Sequence, residues 1–170
     1  MKDAALATLS IQKRALKTGM TLKDASAYNI QFVHGRPILI DTLSFEIYQE
    51  GKPWDAYRQF CQHFLAPLAL MSHVDIRLGQ LLRVYVDGIP LDLASCLLPF
   101  RTKINFGLLT HIHIHASAQT RYADSERVSE SASRRGVSRN AFIGLIESLE
   151  GAVKKLTWKP AGTEWGNYYD

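Results

Sequence analysis

Apolar residues recur every three or four positions near both ends of the chain, which is typical of amphipathic helices. The first such segment spans residues 2–18, and Gly19 follows it where a helix often ends. The second spans residues 139–156 and is preceded by Ser138, a favourable N-cap residue. The sequence therefore predicts one long helix near the start of the chain and one near its end.

Residues 20–28 after the first helix are predicted to form a short irregular connection, and two short apolar runs beyond it flank the dipeptide His34-Gly35. The runs, residues 30–33 and 37–41, are rich in branched side chains, which favour strands. Glycine adopts a positive φ at no steric cost, so the dipeptide favours a tight turn. We predict a two-stranded hairpin at about residues 30–41. Since an isolated hairpin is only marginally stable, we expect it to lie against helices.

The pattern after Pro53 is helical for most of the remaining chain. Proline suits a first helical turn, and an apolar stripe rich in aromatic residues begins at Trp54. Pro67 is expected to kink or break that stripe. Further helices are predicted at residues 90–98 and 105–122. The predicted fold class is α+β, mostly α, with one small β-hairpin packed on a helical bundle.

Composition limits the broad class of protein. The chain has 170 residues, of which 46% are hydrophobic, enough for one domain with its own core. Its formal net charge of +4 is scattered rather than gathered into a nucleic-acid stripe. No apolar run is long enough to span a membrane, and charged residues interrupt the first eighteen positions. We therefore expect a cytoplasmic protein without a membrane partner.

The two cysteines, Cys61 and Cys96, are far apart and form no C-x-x-C motif. Such cysteines are expected to be reduced, buried thiols.

Three polar residues around the predicted hairpin suggest chemistry. Asp24 stands five residues before Asn29, which begins the first strand, and Asp41 ends the second strand. Neighbouring strands lie about 4.8 Å apart, so Asn29 and Asp41 can converge on one point. Carboxylate and amide oxygens suit Mg²⁺, and a further carboxylate can orient or deprotonate a hydroxyl. This arrangement favours phosphoryl transfer. Turn chemistry, in which Asp and Asn bond to nearby backbone, is the alternative.

The motif D-x-x-x-x-N, followed by a short hairpin and an apolar run into Ile-Asp, resembles the protein-kinase-like superfamily. The similarity is greatest to its aminoglycoside and choline phosphotransferase branch. It implies a catalytic base at Asp24, metal ligands at Asn29 and Asp41, and Mg²⁺ and a nucleotide as cofactors. It also implies a fold like the kinase C-lobe.

Several positions depart from that family. Leu22-Lys23 replaces the usual His-Arg, Ser26 stands where many kinases have a lysine, and Thr42-Leu43 follows Asp41. No glycine-rich loop or strand lysine precedes the motif in this segment, so we expect it to correspond to a C-lobe without an N-lobe. These departures imply a degenerate site in this segment alone. In such a site, Lys23 and Arg36 are candidates to balance the buried acids.

A second resemblance covers nearly the whole chain. The stretches GMTLKDASAYNIQFVHGRPILIDTLSFE and PWDAYRQFCQHFLAPLAL resemble the N-terminal region of bacterial proteins with a downstream class I S-adenosylmethionine methyltransferase domain, some of them nodulation-related. This implies a kinase-like domain at residues 1–157 and a linker or docking tail at 158–170. S-adenosylmethionine would bind the downstream domain, and no cofactor is expected in this segment alone.

The two resemblances lead to two function hypotheses. The first is a degenerate, kinase-like accessory module that docks, positions or recognises a substrate for the methyltransferase. The second is a Mg²⁺-dependent phosphotransferase that is active only in the full-length chain. The expected partners are the missing upstream and downstream regions, together with an unidentified small molecule or protein.

His111, His113 and His115 alternate with apolar residues. On a strand all three would face one side and could bind zinc, copper or nickel. On a helix only His111 and His115 share a face. We favour the helix, with packed or solvated histidines.

Residues 123–138 are polar and are predicted to form a mobile connection. Arg134, Arg135 and Arg139 in or beside it suggest nucleic-acid binding as a remote alternative, whereas a solvated loop explains them more simply. The tail is rich in aromatic residues, which we expect to pack on this domain or the next: Trp158, Trp165, Tyr168 and Tyr169.

Overall fold

The computed structural model describes residues 1–117 and 136–158. The two predicted end helices are present as α1 (Lys2–Lys17) and α6 (Arg139–Lys155), and they pack against each other. The Nζ atom of Lys13 lies 2.6 Å from a carboxylate oxygen of Glu150 across this interface. Apolar faces with the predicted helical spacing therefore meet side by side and place part of the core between the two ends of the chain.

Local sequence features fix the ends of both helices as predicted. The Ser138 hydroxyl accepts a hydrogen bond from the Ala141 backbone N–H at 3.3 Å, which caps α6. Helix α1 ends before Gly19, which has a φ of 76°. A positive φ suits glycine and turns the chain away from the helix.

The predicted hairpin is also present. Strands β2 (Ile30–Val33) and β3 (Arg36–Leu39) are antiparallel, with Ile30 opposite Leu39. The two turn residues, His34 and Gly35, both have positive φ, at 49° and 75°. Two positive φ values in succession match the twist of an antiparallel pair, so this short turn sets the register.

A second small sheet lies beside the hairpin, where the sequence suggested only an irregular connection. Strand β1 (Met20–Leu22) pairs antiparallel with β4 (Phe45–Ile47). The buried side chain of Gln12 supports it from α1. Its amide nitrogen donates to Thr21 Oγ1 at 2.9 Å, and its amide oxygen accepts from the Leu22 N–H at 2.7 Å.

The helical rod behind the sheets begins later than Pro53. It comprises α2 (Tyr57–Phe60), a π-helical turn at Cys61–Leu65 and α3 (Ala66–His73). Trp54 precedes the rod and is buried, and its indole N–H donates to the Leu22 carbonyl at 2.7 Å. This long-range bond holds the chain in a non-helical approach, so the expected helix start at Pro53 is wrong.

Pro67 does not break the rod, so the expectation of a break at this residue is wrong, whereas a kink stays a prediction. The π-helical turn lies directly before it, and the Ala66 N–H bonds to the Cys61 carbonyl five residues back. In the same pattern the Gln62 carbonyl would accept from the N–H of residue 67, but proline has no N–H. The Ile89 N–H donates to that carbonyl at 3.0 Å. A distant segment thus replaces the hydrogen bond that Pro67 does not supply.

Shorter helical elements complete the described chain. They are a 3₁₀ helix at Ile76–Arg83, α4 (Leu91–Leu97), a 3₁₀ helix at Phe100–Ile104, α5 (Phe106–Leu108) and a π-helical segment at Leu109–Ile114. The predicted helix at 90–98 is confirmed by α4. The predicted helix at 105–122 is helical as far as residue 117, and its remainder lies outside the described residues.

The main core lies where α1, α6 and the rod meet. Phe60, Phe64 and Phe142 are fully buried there, and the rings of Trp54 and Phe142 lie 6.1 Å apart. The predicted α+β class, mostly α with a small antiparallel sheet component, is confirmed. The proposed boundary between residues 157 and 158 stays a prediction.

Both cysteines are free thiols, but only Cys61 is buried, whereas Cys96 is exposed. The expectation of two buried thiols is therefore wrong for Cys96. This residue lies near the end of the short helix α4, whose buried residues are Leu91 and Ala94.

Candidate functional site

Ser44 joins two of the three residues that the sequence suggested. Its hydroxyl donates to Asp41 Oδ2 at 2.7 Å and accepts from Asn29 Nδ2 at 3.0 Å. The backbone brings the same residues together, because the Ile40 N–H bonds to the Asn29 carbonyl at 2.9 Å. Asn29 and Asp41 therefore lie on either side of one buried serine, which the sequence analysis did not consider.

Asp41 also caps the 3₁₀ turn at Thr42–Ser44. Its Oδ1 atom accepts the Leu43 N–H at 2.8 Å. The pKa of Asp41 is lowered, first by the Ser44 hydroxyl, then by the Leu43 N–H, and more weakly by the charge of Lys23, against a small opposing effect of desolvation. Of the two cations suggested as balancing partners, Lys23 thus contributes, but the Ser44 hydroxyl has the larger effect.

The loop that carries Asp24 passes beside Ser44. The neighbouring Lys23 N–H donates to the Ser44 carbonyl at 2.8 Å, so the segment that carries Asp24 runs beside Ser44. The Asp24 carboxylate itself accepts the Ser26 N–H at 2.8 Å. Gln59 of α2 fixes the same loop, because its side-chain oxygen accepts the Ala25 N–H at 2.7 Å. Asp24 is thus held in a local turn that the helical rod supports.

A buried histidine near Asp24 was not singled out from the sequence. His63 lies in the π-helical turn, and its ring meets the edge of Tyr28 with 5.7 Å between centroids. Its Nδ1 atom is buried without a hydrogen-bond partner among the residues that the structure describes. Burial lowers the His63 pKa, and the charge of Asp24 partly offsets this effect. The sequence signal for His63 was its position four residues after Gln59, because residues with this spacing share one face of a helix.

This arrangement offers oxygen atoms to a cation at Asn29 and Asp41, as well as a separate carboxylate at Asp24. The amide group of Asn29 points its nitrogen toward Ser44, and both Asp41 oxygens already accept hydrogen bonds. Across residues 1–117 and 136–158, no group of three or more His, Cys, Asp or Glu side chains is arranged to hold a metal ion. The roles assigned to these three residues stay predictions.

His111 is a buried structural residue rather than an open ligand. Its Nδ1 lies 2.8 Å from the Tyr57 hydroxyl, and its Nε2 lies 2.9 Å from the Ser148 hydroxyl, so both ring nitrogens are engaged. Burial lowers the pKa of His111 to about 4, with a further contribution from His115. The imidazole is therefore neutral at physiological pH.

The other two histidines of this segment are packed in a similar way. His113 bonds through Nδ1 to the Ser95 hydroxyl at 2.8 Å and through Nε2 to the Thr102 hydroxyl at 2.9 Å. The ring of His115 lies 5.1 Å from that of Tyr57, which also contacts His111. The favoured interpretation, a helical segment with packed or solvated histidines, is confirmed.

The arginine-rich region is described only at its end. Arg139 donates from Nη2 to the Leu16 carbonyl at 2.6 Å and so ties α6 to α1. Arg134 and Arg135 lie outside the described residues, as do most of the tail aromatics, namely Trp165, Tyr168 and Tyr169. Trp158 is described, and its side chain is exposed.

Comparison with known proteins identifies a similar protein. The chain is 36% identical over 157 residues to nodulation protein NoeA of Rhizobium meliloti (strain 1021). That alignment covers 92% of this chain but only 33% of NoeA, so the chain spans about a third of the length of its relative. No protein-family model and no solved structure matches the chain.

None of the helices in the described residues combines the length and the apolar character needed to cross a bilayer.

Proposed function

We propose that the chain is a degenerate, kinase-like accessory module of a longer bacterial protein related to nodulation. In this proposal it docks, positions or recognises a substrate for a downstream S-adenosylmethionine-dependent methyltransferase domain. The similarity to NoeA supports the nodulation-related context, and the 33% coverage of NoeA fits a module within a longer chain. The kinase-like and methyltransferase parts rest on the motif resemblances described above.

The hydrogen bonds of Ser44 carry the proposal of a degenerate site. A metal centre must leave ligand oxygens free for the cation, whereas here the buried Ser44 hydroxyl and the Leu43 N–H both bond to Asp41. The same hydroxyl binds the Asn29 amide from the other side. Both Asp41 oxygens and the Asn29 amide nitrogen thus bond to protein atoms, which supports a degenerate site rather than a metal centre.

Calorimetric titration tests this proposal directly. Mg²⁺ with a non-hydrolysable nucleotide is titrated into the intact chain and into an Asp41→Asn variant. An accessory module should give the same negligible heat with both proteins. Saturable heat with the intact chain that disappears in Asp41→Asn would overturn the accessory role in favour of the phosphotransferase.

A stability measurement tests the structural role of Ser44. Ser44→Ala removes the hydroxyl that joins Asn29 to Asp41 and should lower the free energy of unfolding by about 1–2 kcal/mol. Thr42→Ala in the same turn is the matched control, because Thr42 is exposed, and should change it by less than about 0.5 kcal/mol. Urea unfolding provides the measurement. Equal stability of the two variants would show that the Ser44 bonds contribute little.

The longer protein allows a test of the accessory role. Methyl transfer from labelled S-adenosylmethionine should persist in Asp24→Asn and Asp41→Asn forms, because neither carboxylate performs chemistry in this proposal. Trp54→Ala should reduce it, because the buried indole and its bond to Leu22 support the module. Loss of methyl transfer in the two carboxylate variants while they remain folded would contradict a purely accessory role.

The phosphotransferase hypothesis is kept as the second candidate for one reason. Asn29 and Asp41 lie on either side of one serine, and the pKa of Asp41 is lowered, so that its carboxylate is ionised at neutral pH. In a longer chain, an additional nucleotide-binding lobe could compete with Ser44 for these oxygens. Mg²⁺-dependent nucleotide binding by the longer protein, but not by this chain, would favour the second candidate.

A further inference from the structure

Three large apolar side chains protrude from one short turn on the helical side of the molecule. Phe100 is 77% exposed, Ile104 is 83% exposed and Phe106 is 74% exposed. Phe100 and Ile104 begin and end a 3₁₀ helix, and Phe106 begins α5. Exposed fractions this large mean that the side chains stand out from the surface rather than line a groove. We call residues 100–106 the apolar turn.

Hydrogen bonds of buried and capping side chains fix the backbone of the apolar turn, and so keep its apolar side chains on the surface. Thr102 is buried at its centre, where its hydroxyl donates to the Pro99 carbonyl at 2.7 Å and lies 2.9 Å from His113 Nε2. The Asn105 side chain accepts the Gly107 N–H at 3.1 Å and caps α5. The buried threonine and the cap together fix the direction of the neighbouring apolar side chains.

Positive charge lies within the same turn. Arg101 and Lys103 are both exposed, and they lie on either side of the buried Thr102, between Phe100 and Ile104. The Lys103 ammonium lies 5.3 Å from the centre of the Phe100 ring. In the described part of the chain neither cation forms an ion pair with a carboxylate, and the sequence contains no Asp or Glu from residue 93 to residue 123. The apolar turn therefore presents apolar and cationic groups together.

We propose that the apolar turn binds the surface of a membrane that contains anionic lipids. Phe100, Ile104 and Phe106 would enter the boundary between headgroups and acyl chains, while Arg101 and Lys103 would meet lipid phosphates. Exposed apolar side chains beside cations that have no carboxylate partner among the described residues match the two attractions of an anionic membrane surface, apolar insertion and phosphate contact. The expectation of no membrane partner rested on the absence of a spanning segment, and a surface contact needs none. The inference is independent of the proposed accessory function.

Vesicle sedimentation tests the membrane proposal. The chain is mixed with vesicles of phosphatidylcholine alone, or with about one third phosphatidylglycerol added. We expect binding to the anionic vesicles that weakens as salt is added, because surface charges are screened. The Phe100→Ser/Ile104→Ser variant and the Arg101→Gln/Lys103→Gln variant should each bind roughly tenfold or more weakly. Circular dichroism and thermal melting confirm that each variant remains folded.

A matched control comes from the hairpin side of the molecule. Ile40→Thr/Leu43→Ser also removes two exposed apolar side chains but leaves the apolar turn intact, and it should bind like the unmodified chain. Absence of binding to anionic vesicles by the folded chain would overturn the proposal. Equal loss in the control variant would also overturn it. So would concentration-dependent self-association without lipid that the Phe100→Ser/Ile104→Ser variant abolishes, because the turn would then be an interface between copies of the chain.

Discussion

Two regions of the molecule carry residue types that are typical of catalytic or metal sites, and they differ in burial and hydrogen bonding. In the helical region, His111 and His113 are buried, and each uses both ring nitrogens in hydrogen bonds to hydroxyl groups. In the hairpin region, Asn29 and Asp41 are only half-buried and share Ser44. The residue types alone did not distinguish a structural network from a candidate site.

Burial and hydrogen bonding therefore decide the role of a polar side chain. A buried polar group needs partners, and once it has them it contributes to stability and is closed to ligands. A half-buried carboxylate such as Asp41 keeps contact with solvent and can still exchange partners. The helical region should therefore be sensitive to substitution, and the hairpin region more tolerant. Three measurements, on the histidines and on two glycines, test how strongly burial and packing control stability.

The largest effect is expected from His111→Ala. This substitution leaves the Tyr57 hydroxyl without its imidazole partner, breaks the contact with Ser148 and opens a cavity in the core. The free energy of unfolding should fall by about 3 kcal/mol or more. His115→Ala is the control, because His115 is only partly buried, and should cost less than half as much. Similar losses in urea unfolding for both variants would contradict the distinction.

Two glycines with positive φ provide the next comparison. A Cβ atom at Gly88 would lie 2.6 Å from Gln62 Cβ and 2.9 Å from His63 Cδ2, whereas a Cβ atom at Gly19 would meet nothing within 4 Å. Gly88→Ala should therefore cost about 3 kcal/mol, from backbone strain and overpacking together. Gly19→Ala should cost only about 1 kcal/mol, from strain alone. Thermal unfolding of both variants gives the measurement, and equal costs would show that packing around Gly88 can adjust.

The third effect is a dependence of stability on pH. The folded-state pKa of His111 is about 4, against an ordinary value of 6.5, so between these values the unfolded chain binds a proton that the folded chain does not. Stability should be fully present above about pH 6.5 and fall as the pH decreases toward about 4. The expected loss is about 2–3 kcal/mol from His111. Burial also lowers the pKa of His63, His113 and His115, which adds to the loss.

His111→Gln separates the His111 contribution to this pH dependence. Glutamine can retain hydrogen bonding but has no proton to gain in this range, so the variant should lose less stability between about pH 7 and about pH 4.5. Urea unfolding at both pH values provides the comparison. An unchanged loss would assign the pH dependence to the other buried histidines.

The parts of the fold that local sequence features control were predicted well. The two end helices follow from apolar spacing, with Ser138 as the cap of α6. The hairpin follows from the His34-Gly35 turn. In each case the residues that decide the structure lie within a few positions of one another. Short-range physics is enough to specify such elements.

The parts that were missed depend on groups that are far apart in the chain. Strand β1 exists because it pairs with β4 and because Gln12 satisfies it from α1. The rod continues through Pro67 because Ile89 supplies a replacement hydrogen bond to the Gln62 carbonyl. Neither partner is visible in the local pattern, so the local pattern suggested an irregular connection at β1 and a break at Pro67.

The candidate site shows the same division. The sequence suggested that Asn29 and Asp41 converge, because a hairpin brings its two ends together. Ser44 was missed, although the spacing Asp41-Thr-Leu-Ser44 suits a capped turn in which the acid bonds to residues two and three positions later. His63 lies near Asp24 only because the helical rod packs against the loop that carries Asp24.

Backbone preferences and apolar spacing over a few residues fixed the end helices, the hairpin turn and the polar residues that the hairpin gathers. Only the packing of distant elements settled which partners those and other polar groups acquired. Tyr57, Ser95, Thr102 and Ser148 reach the histidines from other elements, and Ser44 reaches across the hairpin end. A side chain's chemistry is a local property, whereas its burial and its partners depend on the packing of the whole chain.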